Sequence, residues 1–140
     1  ILRILDHVSM YLLIAGSYTP MTMLVLDSFW GTILLVLAWS MAVLGIVYEV
    51  FFLGRNKALG VSLYLLMGWV AVFAIKPIYE AVNFDVLLWL FLGGASYSIG
   101  VIFYMWKKMP FGHAVWHLFV LFGSASHFIC FYKIGDFGWL

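Results

Sequence analysis

Residues 32–53 read TILLVLAWSMAVLGIVYEVFFL, and Glu49 is the one charged side chain among them. As a helix this run extends roughly 33 Å at 1.5 Å per residue, enough for a hydrocarbon core of about 30 Å. Runs of the same character lie on either side, at about 5–26, 59–76, 85–106 and 111–132. Short polar breaks separate them: Asp27-Ser28, Gly54-Arg55-Asn56-Lys57, Lys76-Pro77 and Lys107-Lys108-Met109-Pro110. Lys76-Pro77 closes the third run because a proline disfavours helix in the residue before it. Residues 78–84, with Glu80 and Asn83, read as a loop, and Pro110 suits the first turn of the last helix. The expected fold is all-α, a polytopic transmembrane helix bundle forming a single domain over 1–140. Its loops are too short for an extramembrane domain.

Composition agrees. Of 140 residues, 66% are hydrophobic and 9% charged, with a mean hydropathy of +1.12. A soluble domain carries about a quarter charged residues and cannot hide this much apolar surface. A net charge of +1 offers nothing to nucleic acid, so membrane lipids are the expected partners. Cys130 stands alone, which rules out an internal disulfide or a thiol cluster and makes it a buried apolar residue. The chain opens at Ile1 without an initiator methionine, and its first polar cluster leads straight into a span; it reads as a fragment missing its beginning.

Charge placement sets orientation. With a cytoplasmic start, that side collects Arg3, Arg55, Lys57, Lys107 and Lys108. The other side keeps Lys76 and Lys133, with Asp27, Glu80, Asp85 and Asp136. The excess of basic residues favours a cytoplasmic start and an external carboxyl end. Trp30, Trp106, Tyr132 and Trp139 fall near the interfaces, where amphipathic rings collect. Within the spans, Gly94/Ser98 and Ser96/Gly100 have the small-xxx-small spacing of close helix packing, with a pore-lining face as the rival reading. Gly16 with Thr19-Pro20 predicts a kink whose freed carbonyl a hydroxyl can satisfy.

Ionisable residues inside the membrane are costly, by at least about 2.5–3.5 kcal/mol for a charged one, and usually mark function. His113 and His117 stand at i and i+4, about 40° apart and one helical turn along the axis. Two imidazoles so placed can grip one metal ion. The spacing is that of the H-E-x-x-H zinc proteases, but position 114 is alanine, so the general base of that motif is missing. Interhelical hydrogen bonds or an interfacial position explain the pair equally well. Asp6 opens the first span and His113 the last; four crossings separate them, so both lie in one leaflet in either orientation. A carboxylate there can bind metal, orient a metal-bound water or fix an imidazole tautomer. It can also simply complement the helix macrodipole. His7 points about 100° away from Asp6, toward a neighbouring helix or the headgroups. His127 lies roughly 15 Å deeper than His117, too far to share its metal, and reads as a buried hydrogen-bonded residue. Glu49 either snorkels to the interface or joins the polar pocket.

Two stretches carry a family resemblance. Leu5-Asp6-His7-Val8-Ser9-Met10-Tyr11-Leu12-Leu13-Ile14-Ala15-Gly16-Ser17-Tyr18-Thr19-Pro20 resembles the LDH-x3-YLLIAG-[ST]-YTP signature of bacterial hemolysin III proteins. Pro110-Phe111-Gly112-His113-Ala114-Val115-Trp116-His117, with Gly123-Ser124-Ala125-Ser126-His127-Phe128, resembles that family's last helix. The wider superfamily takes in the adiponectin and progestin receptors and resembles alkaline ceramidases. The resemblance implies a seven-helix fold with a cytoplasmic amino end in the cell membrane, of which five spans are present and the first and most of the second absent. It implies zinc near the cytoplasmic face, with His113 and His117 matching two histidine ligands and Asp6 matching an aspartate that contacts zinc through water. The third histidine comes, in that family, from a helix upstream of Ile1.

Three functions follow as expectations. The first is a zinc-dependent hydrolase of a lipid amide or ester, in which zinc lowers the pKa of water toward about 7 and Asp6 positions that water. The second is a pore-forming, channel-like protein, for which polar residues clustered near one leaflet give little support. The third is a lipid sensor with structural zinc. Oligomeric state and substrate are not encoded in any motif.

Overall fold

The computed structural model describes residues 2–26, 28–52, 57–106 and 108–135. Asp27, Gly54, Arg55, Asn56, Lys107, Asp136 and Trp139 lie outside these, as do the side chains of Arg3, Ser28 and Lys57. The described chain consists of helices joined by short turns, in the order α1 (Leu2–Leu24), α2 (Ser28–Phe52), α3 (Lys57–Trp69), a 3-10 segment (Val70–Ala74), α4 (Ile75–Ala81), α5 (Phe84–Met105) and α6 (Gly112–Ile134). Among the described residues, four stretches are long and apolar enough to cross a membrane: Phe29–Phe52, Leu59–Ala81, Phe84–Met105 and Gly112–Ile134. α1 is 23 residues long, but its polar content leaves it outside those four. The protein is an all-α, polytopic membrane protein. Two compact units divide it, Ile1–Ala81 and Val82–Leu140, each described by itself.

In the first unit each helix buries one stripe. On α1 it is His7, Tyr11, Ala15, Tyr18 and Thr22; on α2, Leu34, Ala38, Ala42, Gly45 and Glu49. Steps of three and four residues put each set on one helical face. The remaining faces expose large apolar side chains, among them Leu12, Val36, Leu44, Phe51 and Phe73, as lipid contact requires. α1 continues through Pro20. Hydroxyls around the proline bond backbone carbonyls as expected, Thr19 Oγ1 donating to Ala15 O (3.3 Å) and Thr22 Oγ1 to Tyr18 O (2.9 Å).

The third span corrects the reading of 78–84 as a loop: helix persists to Ala81. Pro77 does not end it, because the 3-10 segment restarts the backbone and places the proline in the first turn of α4. There its missing N–H has no intrahelical carbonyl to serve. The break upstream frees backbone groups in the middle of a span, and Tyr18 takes them up. Its hydroxyl accepts from Ala71 N–H (2.9 Å) and lies 2.9 Å from Met67 O and 3.0 Å from Gly68 O, to one of which it donates. Tyr18→Phe leaves a buried N–H and a carbonyl without that partner, which costs about 1–3 kcal/mol. Reversible unfolding in mixed micelles should register this as a clear loss of stability.

The second unit is the α5–α6 hairpin. Asn83 caps α5, its side-chain oxygen accepting from Val86 N–H at 3.2 Å, a helix start that a loop assignment to 84 passes over by one residue. Gly93, Ser96 and Gly100 of α5 and Gly112, Trp116, Val120, Gly123 and Cys130 of α6 are buried. Ser96 Oγ donates to Phe119 O at 2.8 Å, and a Cβ built at Gly100 meets Phe119 Cβ at 2.8 Å, so Ser96/Gly100 is a packing pair. Gly94/Ser98 does not serve the α6 contact: a Cβ at Gly94 meets nothing within 4 Å among the described residues, and Ser98 Oγ donates to Gly94 O at 2.9 Å. Steps of four from Gly94 fall on a different face from the one α6 covers. Lys133 and Asp85, both exposed, face each other at 3.5 Å across the open end of the hairpin. Helix α6 begins at Gly112, within a residue of the expected 111, with Phe111 in a left-handed conformation (φ 61°) as its N-cap, so Pro110 precedes the first turn instead of lying in it.

Candidate metal centre

His113 occupies the first turn of α6 and His117 the second. Both are exposed within the described structure, and their Nε2 atoms stand 2.8 Å apart. If one ring carries its proton at Nε2, the pair is a hydrogen bond. If both carry theirs at Nδ1, two lone pairs converge on one point, which a cation must neutralise. Two zinc–nitrogen bonds of about 2.0–2.1 Å at a tetrahedral angle hold their nitrogens about 3.3 Å apart. The rings need open by only about half an ångström to meet that demand, so the donor pair fits zinc.

An aromatic wall holds the rings. Trp116, buried between the two histidines in sequence, lies 5.3 Å from His113 and 4.7 Å from His117 by ring centroids. Tyr104 of α5 adds an edge-on contact to His113 at 5.5 Å and packs on Trp116 at 4.8 Å. Restricting the rotamers of the imidazoles in this way lowers the entropy lost when they converge. The His-x3-His pattern reveals the donors; the wall is visible only once α5 is paired with α6. Trp116, falling within the motif, was its one legible clue.

Asp6 lies in the first unit, half-buried near the start of α1, with Ser9 Oγ donating to its backbone carbonyl at 2.7 Å. His7 and Glu49 settle two open alternatives. His7 turns to a neighbouring helix and Glu49 does not snorkel: both are buried, with His7 Nδ1 2.9 Å from Glu49 Oε1. The signal was present in the stripes, since 7 continues the buried face of α1 and 49 that of α2. His127 is hydrogen-bonded as expected but half-buried rather than buried, its Nε2 donating to Leu90 O at 3.3 Å with the Tyr97 ring edge-on at 5.4 Å. Cys130 is buried, with Sγ 3.6 Å from Val86 O.

Comparison with known proteins agrees with the motifs. The family described as "Haemolysin-III related" matches residues 1–128. "Hemolysin-3 homolog" of Bacillus subtilis (strain 168) is 50% identical over 130 residues, covering 93% of this chain and 61% of that protein. "Hemolysin-3" of Bacillus cereus is 46% identical over 127 residues, covering 91% and 58%. The human "Monocyte to macrophage differentiation factor" is 31% identical over 129 residues, covering 91% and 53%. The chain thus spans somewhat over half the length of these relatives. No solved structure matches. A family match over residues 1–128, with both motifs on the helices that the spacing required, places this chain in the haemolysin-III-related family.

Proposed function

We propose that this protein is a zinc-dependent hydrolase of the cell membrane, acting on an amide or ester bond of a lipid. The observation that carries this reading is the approach of the His113 and His117 Nε2 atoms to 2.8 Å. When bound there, zinc supplies Lewis acidity and lowers the pKa of water toward about 7. His113 and His117 hold it, Tyr104 and Trp116 keep their rings in place, and the third imidazole implied by the family resemblance comes from a preceding helix. Asp6 is assigned to the same centre by the parity of the spans; its carboxylate orients a water molecule and receives its proton. Substrate enters from the bilayer, since the described helices expose apolar side chains to it.

Purified full-length protein should contain close to one zinc per chain and release fatty acid from a lipid amide or ester. Zinc without turnover across a broad lipid panel would leave a structural metal in a lipid sensor. Conductance across planar bilayers that survives removal of zinc would favour a pore instead.

A further inference from the structure

We infer that the buried His7–Glu49 pair is a rotation lock on α1 that aims Asp6, which makes His7 and Glu49 positioning residues of the proposed centre. This rests on the reading of Asp6 given above. The His7 and Glu49 side chains are only 4% and 3% exposed, and they meet at 2.9 Å. Ionisable groups inside a membrane protein are retained at a cost in stability. A buried pair of this kind is a weak source of stability, because apolar residues of the same volume often serve as well. What such a pair supplies is specificity: two directional groups meet at one rotation and one register, where apolar faces can slide.

The surroundings sharpen that constraint. A Cβ at Gly60 would stand 2.7 Å from Glu49 Oε1, so the α3 backbone closes directly over the carboxylate. Tyr11, one turn beyond His7, donates its hydroxyl to Gly60 O at 3.3 Å and sets its ring edge-on to Tyr64 at 6.0 Å. Helices α1, α2 and α3 therefore meet at this pair, and α1 satisfies all of these contacts at one azimuth. Asp6 precedes His7 and is carried about 100° round the helix from it. A turn of about 20° moves an atom about 5 Å from the helix axis through about 2 Å. A misplacement of about 1 Å can cost on the order of 100-fold in a positioned reaction.

The test uses full-length protein in nanodiscs, comparing His7→Leu/Glu49→Leu, which leaves neither partner orphaned, with Glu49→Gln, which keeps an oxygen for the His7 ring. Zinc affinity is read by chelator competition. The rotation of α1 is read without zinc, from maleimide labelling of Leu5→Cys and Met10→Cys in a Cys130→Ala background. Leu5 is 58% exposed and Met10 9%, so position 5 labels and position 10 is protected while the lock holds. The double variant should lower the 5-to-10 labelling ratio and weaken zinc binding by about 10–100-fold, the range for lost outer-shell partners. Glu49→Gln should retain most of both. An unchanged ratio overturns the lock, and a changed ratio with unchanged zinc affinity overturns the aiming of Asp6. Absence of zinc from the unmodified protein overturns the metal reading, and the ratio then decides the lock alone. Should the double variant not fold, Glu49→Asp, shorter by one methylene, must shift the ratio in the same direction for the lock to stand.

Discussion

On the proposed zinc site, His113→Ala and His117→Ala should each weaken zinc binding by more than about 100-fold and abolish lipid turnover, and the double substitution should cost little beyond either one. Loss of an outer-shell partner already costs about 10–100-fold in metal affinity, and loss of a ligand exceeds it. The near-equality of single and double variants follows from geometry. With Nε2 atoms 2.8 Å apart the two rings act as one chelating unit, and half of it is not half as good. Both side chains are exposed in the described structure, so alanine there leaves no buried cavity and removes only the ring contacts with Tyr104 and Trp116. Metal analysis, chelator competition and a thermal midpoint on the metal-free protein separate this outcome from misfolding. Metal-free variants should melt with metal-free parent, while only the parent gains stability on adding zinc.

Gly93→Ala separates α5 from α6 and costs about 1–3 kcal/mol, the range for forcing a methyl into a packed core. A Cβ at this position would collide with Cδ2 and Nε2 of His127. The ring cannot step aside cheaply: Nε2 is held by Leu90 O at 3.3 Å and the Tyr97 ring lies edge-on to it. Tyr97 is itself tied through its hydroxyl to Ser124 Oγ at 3.0 Å. Adding His127→Ala to Gly93→Ala should recover most of the loss, a coupling that a double-mutant cycle of unfolding free energies measures. Zinc content should stay unchanged in the His127→Ala protein, since the ring belongs to the hairpin and not to the donor pair.

Much of the architecture could be read from hydropathy. Apolar runs separated by short polar breaks locate the long helices, and the depth of His127 along α6 separates it from the donor pair, although it is half-buried rather than buried. Local rules failed where a tertiary contact overrode them. The resistance of the residue before proline to helix predicts a stop at Pro77; a 3-10 restart and the Tyr18 hydroxyl change what that proline has to satisfy. Gly94/Ser98 and Ser96/Gly100 have identical spacing, and only the face covered by α6 distinguishes them. His7 and Glu49 are 42 positions apart in the chain, so no periodicity within one helix could announce that they pair. The His113/His117 donors were legible because their geometry is set within a single helix.

The Tyr18 contact has a consequence for how the protein is made. A helix entering the bilayer ordinarily brings every backbone partner with it, and so can settle alone before neighbours arrive. The span from Leu59 to Ala81 cannot, because the groups opened at Met67, Gly68 and Ala71 are served by a phenol synthesised about fifty residues earlier. Biogenesis of this span is therefore ordered: α1 must already be resident in the lipid, with its tyrosine waiting, when the interrupted segment leaves the translocon.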